Sequence, residues 1–430
     1  IDATDKVTSK LQVHIPKTLT RPGGFDHREA LFGVPPYGGS LQQNVYYADS
    51  DLCDADVDTR KGFPIRPLDD DGNMLPWPSP YILMVDRGGG CSFTQKVRNA
   101  QRHGAAGVII ADNTCLCAAG DNCVSESGVH CEYREPIMAD DGSGMDVSIP
   151  SFLMFKQDAD PVKAQLKANN VVRIEMAWSL PSPDDRVEYE LWTTPADEET
   201  KDLQMKWKDA AMALGDRAYF TPHMYIYDGI KSGCQDENGE NQCYNLCTNS
   251  GRYCSTDPDD DIDEGISGAD VVTESLRRTC IWKSYGEKDG VGTKWWDYVN
   301  EFMFRCDTED YFTNLDCIKD AMNTAGVDSG IIYQCMGDSG GLEDDVPNTV
   351  LDDQITAEDS TGVIILPAAY VNGAAIRGEL DFDVLFKAVC AGYLTGTEPK
   401  ICQECANCPD EHKCVVNGYC HSPSAEGAVS

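Results

Sequence analysis

Twenty cysteines constrain this 430-residue chain more than any other feature. They cluster, with four inside residues 115–131 and five inside residues 402–420. An even number arranged this way points to a disulfide framework and to folding in an oxidising compartment. Zinc is the competing use. The tightest groups, Cys115-Leu116-Cys117 and Cys402-x-x-Cys405-x-x-Cys408, lack paired histidines or a second matched CxxC. A formal net charge of −37 argues against nucleic-acid binding, because phosphates would be repelled. It suits a soluble luminal or extracellular protein. Calcium or cationic partners are the functional reading of that charge, and solubility alone is the simpler one. The length allows roughly two to four domains. No apolar run approaches the ~20 residues that cross a bilayer, so a membrane would be reached only through a segment outside this chain. The start, Ile1-Asp2-Ala3-Thr4, reads as a processed or trimmed end rather than a signal peptide.

Residues 81–112 read YILMVDRGGGCSFTQKVRNAQRHGAAGVIIAD. Residues 81–85 are a short apolar run of strand type. Glycines 88–90 follow as a turn with free backbone angles. Residues 91–103 have helix-forming composition, with Phe93, Val97 and Ala100 on one face and Gly104 as the stop. Residues 108–111 are a second buried strand, so the stretch is a β-α-β crossover between parallel strands. A phosphate-binding loop is the rival reading of the glycines, but no Lys-Ser/Thr follows them. Further on, Asp160 and Pro161 suit the N-cap and first position of a helix. Residues 171–178 alternate as a strand, and residues 149–153, with Pro150, suit an edge strand. The loop CLCAAGDNCVSESGVHC at 115–131 reads as a disulfide-tied surface loop, with a metal site through His130 as the sharper alternative.

In the second half, residues 187–194 alternate as a strand, residues 198–214 form a helix, and residues 218–227 are strand-like and aromatic. A cysteine-rich stretch from 234 to 335 has helical character around 271–282, 295–305 and 315–323. Pro367 then sits between two apolar, strand-like runs, 363–366 and 368–371. A trans proline in a central strand deletes a ladder hydrogen bond. A cis Leu366–Pro367 bond before a hairpin and a final helix resolves the conflict, as in the thioredoxin-like fold; a bulge or an edge strand is the alternative. Asn372-Gly373 supplies the hairpin turn, and residues 381–394 the helix. An oxidoreductase of this fold carries a reactive CxxC after its first strand. Here that place reads TTPADEET (193–200), without a cysteine, which argues against redox chemistry.

The string CMGDSGG (335–341) matches the surroundings of a protease serine nucleophile at Ser339. A triad needs its histidine and aspartate in suitable contexts, and none of the upstream histidines stands in one. Ser339 is therefore expected in a loop beside a disulfide. Asp257, Asp259, Asp261 and Asp263 alternate in STDPDDDIDEG and could present oxygens to calcium. The EF-hand spacing fails at Glu264, where glycine is required, and a solvated acidic loop is the competing reading. No other metal or cofactor is indicated.

Two sets of strings carry a family resemblance. LFGVPPYGGSLQQNVYY, VDRGGGCSFTQKVRNAQRHGAAGVIIADN and SIPSFLMFKQDADPVKAQLKA resemble a protease-associated (PA) domain. PSPDDRVEYELWTT, GRYCSTDPDDD, KWWDYV, CMGD and the stretch from VIILPAAYVNGAAIRGEL to AVCAGYLTGTEPKIC resemble the luminal part of plant vacuolar sorting receptors, with the spacing kept over nearly the whole chain. The resemblance implies a multidomain α+β and α/β protein. Residues 1–24 would be an N-terminal segment. Residues 25–180 would be the PA domain, a β-sandwich or barrel with helices. Residues 181–400 would be a thioredoxin-like domain with a disulfide-rich helical insertion at about 234–345, and residues 401–430 a cysteine-rich EGF-like fragment. It also implies a Cys53–Cys91 disulfide and no catalytic residues. Cargo, an extended peptide or a protein, would be gripped by Arg87, Gly88, Cys91, Ser92 and Phe93, flanked by Tyr37, Gly38, Gly39 and Ser40. This chain departs from the family where the acidic residue after Arg-Gly is missing and where the loop 115–131 is added. The implied setting is the secretory or endomembrane lumen or the cell exterior. A different class of reading is a structural subunit of a cell-surface glycoprotein assembly, in which self-assembly or a neighbouring subunit holds the tail 421–430.

Overall fold

The computed structural model describes residues 8–420 apart from 76, 78, 121, 122, 127, 129 and 263. The tail 421–430 and the calcium candidate Asp263 thus lie outside the described residues. Contacts divide the chain into two compact units: Val7–Leu180 with Ile376–Leu380, and Pro181–Ala375 with Asp381 onward.

The first unit contains β1 (Ser9–Ile15), β2 (His27–Glu29), β3 (Ser40–Tyr47), β4 (Ile82–Asp86), α1 (Phe93–Arg102), β5 (Gly107–Ala111), β6 (Ser151–Met154), α2 (Lys156–Lys167) and β7 (Arg173–Trp178). Its sheet is ordered β1-β7-β3-β4-β5-β6-β2. The run β3-β4-β5-β6 is parallel, and the flanking pairs are antiparallel. β4, β5 and β6 are apolar almost throughout because both of their faces are covered, as buried parallel strands require. Leu83, Val85, Val108, Ile110 and Leu153 make the core with Val97 and Ala100 of α1. The sheet curls until its two edges approach each other. Leu11 bridges Phe25, and Ser9 Oγ bonds His27 Nε2 at 2.8 Å and donates to Glu29 Oε1 at 2.5 Å. This nearly closed barrel shelters strand edges that would otherwise pair with other chains.

Three features of this unit differ from expectation. Residues 149–153 are not an edge, since β6 lies between β5 and β2; Pro150 precedes the strand, so no ladder donor is lost. Helix α2 starts at Lys156 rather than beyond Asp160, and Pro161 is interior to it. Asp160 is instead an ion-pair partner, 2.8 Å from Lys156 Nζ and 3.4 Å from Lys163 Nζ. Residues before 25 are not a separate segment, because β1 is a strand of the barrel.

The second unit opens with β8 (Val187–Thr193), α3 (Glu198–Leu214) and β9 (Ala218–Met224). The insertion holds β10 (Tyr227–Asp228), β11 (Cys247–Thr248), β12 (Tyr253–Cys254), α4 (Gly268–Tyr285), α5 (Thr293–Arg305), α6 (Leu315–Thr324), α7 (Ser329–Asp338) and α8 (Thr349–Thr361). The chain returns through β13 (Ala368–Val371), β14 (Ala374–Ala375) and α9 (Phe382–Ala391), then ends in α10 (Lys400–Cys405) and α11 (Glu411–Asn417). The main sheet, β14-β13-β8-β9, pairs β8 with β9 in parallel and with β13 in antiparallel, a thioredoxin-like plan. The insertion docks on β9 through Phe220, which stacks on Trp296 and meets Trp295 and Trp282 edge-on.

The Leu366–Pro367 peptide is cis. The run 363–366, expected as a strand, is not one. Trp192 pairs with Ala368, and β8 ends one residue later at Thr193. Residues upstream of Pro367 therefore run past the end of their would-be partner strand, and Ile364 and Ile365 are exposed. The C-terminal module is helical rather than EGF-like, tied by Cys390–Cys402, Cys405–Cys414 and Cys408–Cys420. All twenty cysteines are paired.

Glu411 anchors that module. It is buried in the first turn of α11, with Oε1 2.9 Å from Lys387 Nζ of α9 and with the Asp383 carboxylate beside it. Burial, reinforced by Asp383, outweighs Lys387 and pushes its pKa up to about 8 from the ordinary 4.5. The folded state then keeps a proton that the unfolded chain has lost. This contribution to stability is complete below pH 4.5 and is lost as the pH rises through about 8. Thermal unfolding of Glu411→Gln should show a shallower fall in stability between pH 5 and pH 8.5 than the wild type does.

Candidate functional site

Parallel pairing carries the ends of β4, β5 and β6 to one edge of the barrel, where Arg87, Asp112 and Lys156 follow them. In open parallel sheets this carboxyl edge is where ligands bind. The Arg87 amide bonds Ala111 O at 2.9 Å, which fixes its backbone against β5. Its side chain reaches two carboxylates through one nitrogen: Nη1 lies 3.0 Å from Asp112 Oδ1 and 2.8 Å from Glu132 Oε2. Asp112 is fully buried, and the guanidinium is about a fifth exposed. Partial burial pulls the guanidinium toward neutrality, but the Glu132 and Asp112 hydrogen bonds more than compensate and its pKa rises. Nε and Nη2 have no hydrogen-bond partner among the described residues. Together they form the bidentate edge of the arginine fork.

Glu132 comes from the connection between β5 and β6. Disulfides Cys115–Cys123 and Cys117–Cys131 close this loop on itself. The Glu132 amide donates to Cys115 O at 2.8 Å, and Cys117 N donates to Glu132 O at 2.9 Å. The backbone of Glu132 is thus pinned beside Arg87. On the same loop Glu126 reaches Lys156, 3.3 Å away. A cavity of about 350 Å³ lies between this loop and the start of α2, lined by Arg28, Leu116, Ala119, Phe155 and Lys156 among others. Asp112 and Glu132 were not among the sequence candidates. The added cysteine loop was the available signal, but nothing local says which of its acids faces Arg87.

The expected cargo residues separate into two groups. Arg87, Gly88, Cys91, Ser92 and Phe93 share the carboxyl edge. Cys91 is disulfide-bonded to Cys53. Ser92 caps α1, accepting from Gln95 N and donating to Asp141, and Phe93 packs against the core. Gly88 O accepts from the buried Lys96 Nζ at 2.7 Å, and that ammonium also holds Asp51 O at 2.6 Å. Tyr37, Gly38, Gly39 and Ser40 do not flank this group. Val45 pairs with Ile82, so Ser40 stands five residues before that pair and Arg87 five after it. Ten residues at about 3.3 Å each separate them by roughly 30 Å along the sheet. Tyr37 is buried, and its hydroxyl accepts from Arg377 N at 2.6 Å and donates to Arg377 O at 3.1 Å. It secures the segment Ile376–Leu380 that completes this unit.

Ser339, Asp257 and Asp259 are each engaged by their own surroundings. Ser339 Oγ donates to Met336 O at 2.9 Å and accepts from Asn348 Nδ2 at 2.9 Å, which is the engagement of a helix-end residue. Asp257 Oδ1 accepts from Asp259 N, and Asp259 accepts from Asp261 N and Ile266 N. These carboxylates serve the loop backbone, and they form no three-ligand cluster among the described residues. The one such group there, Cys234, Cys243 and Cys247, is consumed by disulfides.

Gly88, Gly89 and Gly90 all have positive φ. A Cβ at Gly89 would lie 2.1 Å from Asp51 Oδ2 and 2.7 Å from Cys53 Sγ. Gly89→Ala should therefore destabilise the unit by at least ~1 kcal/mol in denaturant unfolding, whereas the exposed turn glycine Gly72 has open space around it and should cost less on the steric count.

Comparison with known proteins agrees with this architecture. A profile of the PA domain matches residues 41–161, and one of the vacuolar sorting receptor thioredoxin-like domain matches residues 187–390. Vacuolar-sorting receptor 1 of Pisum sativum is 32% identical over 418 residues, covering 92% of this chain and 61% of that protein. Vacuolar-sorting receptor 4 of Arabidopsis thaliana is 34% identical over 410 residues, covering 92% and 60%. The chain thus spans about three-fifths of the length of these relatives. Among solved structures, an aminopeptidase from Aneurinibacillus sp. strain AM-1 aligns at 17% identity over 40% of this chain and 30% of its own, with a TM-score of 0.25, too loose to bear on function. The chain matches a PA domain followed by the thioredoxin-like domain of vacuolar sorting receptors, and it resembles that receptor family along nearly its whole length.

Proposed function

We propose that this chain is a non-enzymatic cargo-binding protein, the luminal or extracellular part of a sorting receptor, and that it takes an extended peptide or protein segment at the carboxyl edge of its PA domain. The observation that carries the reading is Arg87, held by two carboxylates through Nη1 with its Nε and Nη2 donors left over among the described residues. Gly88 to Phe93 flank it on a loop shaped by glycines, a disulfide and a helix cap. An extended ligand there would gain backbone hydrogen bonds for affinity and side-chain pockets for specificity. The relatives are named as vacuolar sorting receptors, which supports the cargo role. A non-catalytic role is supported by the engaged Ser339 hydroxyl and by the cysteine-free turn after β8. Ten disulfides support a secretory or extracellular setting. Among the described residues no helix is long and apolar enough to cross a membrane.

Titration against a library of extended peptides tests this. Saturable binding is expected, weakened at least about tenfold in Arg87→Lys, which keeps the charge but loses the fork. Tyr37→Phe should bind like the wild type, because Tyr37 stands at the opposite end of the sheet. Unchanged binding in Arg87→Lys would move the site elsewhere. Absence of binding across the library, from protein that forms a defined polymer, would favour the assembly-subunit reading.

A further inference from the structure

The two carboxylates on Arg87 bear on which ligand the fork can accept. Among the described residues one cation faces Asp112 and Glu132 within hydrogen-bond distance, so the formal charge of these three groups is −1. Asp112 belongs to the end of β5 and is buried, so it compensates Arg87 from inside the barrel. Glu132 is different. It is partly exposed, and it sits on the disulfide-closed loop that supplies a second negative charge at the rim. Two backbone hydrogen bonds and the adjacent Cys117–Cys131 bridge leave it only side-chain rotation. Being part of the same chain, it competes with any incoming anion at high effective concentration.

We propose that Glu132 is a specificity-determining residue of the Arg87 site: it excludes ligands that offer a carboxylate and admits those that offer a neutral acceptor, a carboxamide or peptide carbonyl oxygen. This rests on the reading of the carboxyl edge as the peptide site. The Nε–Nη2 edge, unpartnered among the described residues, can donate to either kind of oxygen. A carboxylate placed there meets Glu132 and Asp112 as a third negative charge at close range, whereas a neutral oxygen does not, and like-charge juxtaposition is the standard way an interface rejects a wrong partner. The arrangement favours neutral or basic segments as cargo.

The test uses the full chain and a library of acetylated, amidated octapeptides in which each position is varied between Asn or Gln and Asp or Glu. Wild-type protein should favour the amide at one position by at least about fivefold. Glu132→Gln keeps an acceptor for Nη1 but removes the charge, and it should bring that ratio close to one. Glu126→Gln removes a carboxylate from the same loop without touching Arg87 and should keep the wild-type ratio. No amide preference in the wild type, or an unchanged ratio in Glu132→Gln while Arg87→Lys still loses binding, would overturn the inference and leave the cargo reading standing. Binding that is not weakened in Arg87→Lys would overturn both. Melting curves of each variant establish that it is folded.

Discussion

The parallel ladder of β4, β5 and β6 is the constraint on which the rest of the first unit depends. Parallel strands share a direction, so whatever follows each of them arrives at the same edge. Asp112 therefore comes to Arg87, and Lys156 follows one strand further on. The same rule needs long crossovers. One is α1, which brings the core residues Val97 and Ala100. The other is the connection from β5 to β6, with room for a loop that folds back over the edge it leaves. The ladder also places Tyr37–Ser40 at the far end of β3, where Tyr37 holds a segment of the chain itself rather than a ligand.

Disulfides and buried hydrogen bonds hold the geometry of the edge above the core. The short loops closed by Cys115–Cys123 and Cys117–Cys131, of 8 and 14 residues, each restrict the unfolded chain by roughly 2–3 kcal/mol in the chain-entropy description. Cys53–Cys91 and the Lys96 ammonium tie the glycine loop to residues 51–53. Arg87 and Asp112 depend on each other. A buried carboxylate without its cation is strongly destabilising, so Arg87 both presents donors to solvent and neutralises the barrel beneath it. In the proposed site, binding and stability would share one side chain, which is why Arg87→Lys is a cleaner probe than truncation.

Much of the architecture was legible in the sequence. Alternation and glycine punctuation located the β-α-β crossover, the strand at 187 and the helices of the insertion. The position of Pro367 between apolar runs pointed to a thioredoxin-like plan, and the peptide is cis. Local patterns failed where pairing partners decide the outcome. Residues 363–366 have strand composition, but β8 stops at Thr193 and leaves them no strand to pair with among the described residues. Pro161 looked like a helix start because proline tolerates the first turn, yet α2 begins at Lys156. At the site, Arg87 and its glycine loop were legible because their chemistry is contiguous in sequence. Asp112 and Glu132 were not, since 25 and 45 residues separate them from Arg87 and only the strand register and a disulfide bring them together.

The proposed peptide site is the carboxyl edge around Arg87. Photo-crosslinking measures this most directly: a bound peptide carrying a photoreactive group is activated and the attachment sites on the chain are mapped by mass spectrometry. Crosslinks are expected within residues 87–93, 112–116 and 132–135. Crosslinks confined to residues 37–40, or to the thioredoxin-like unit, would contradict it.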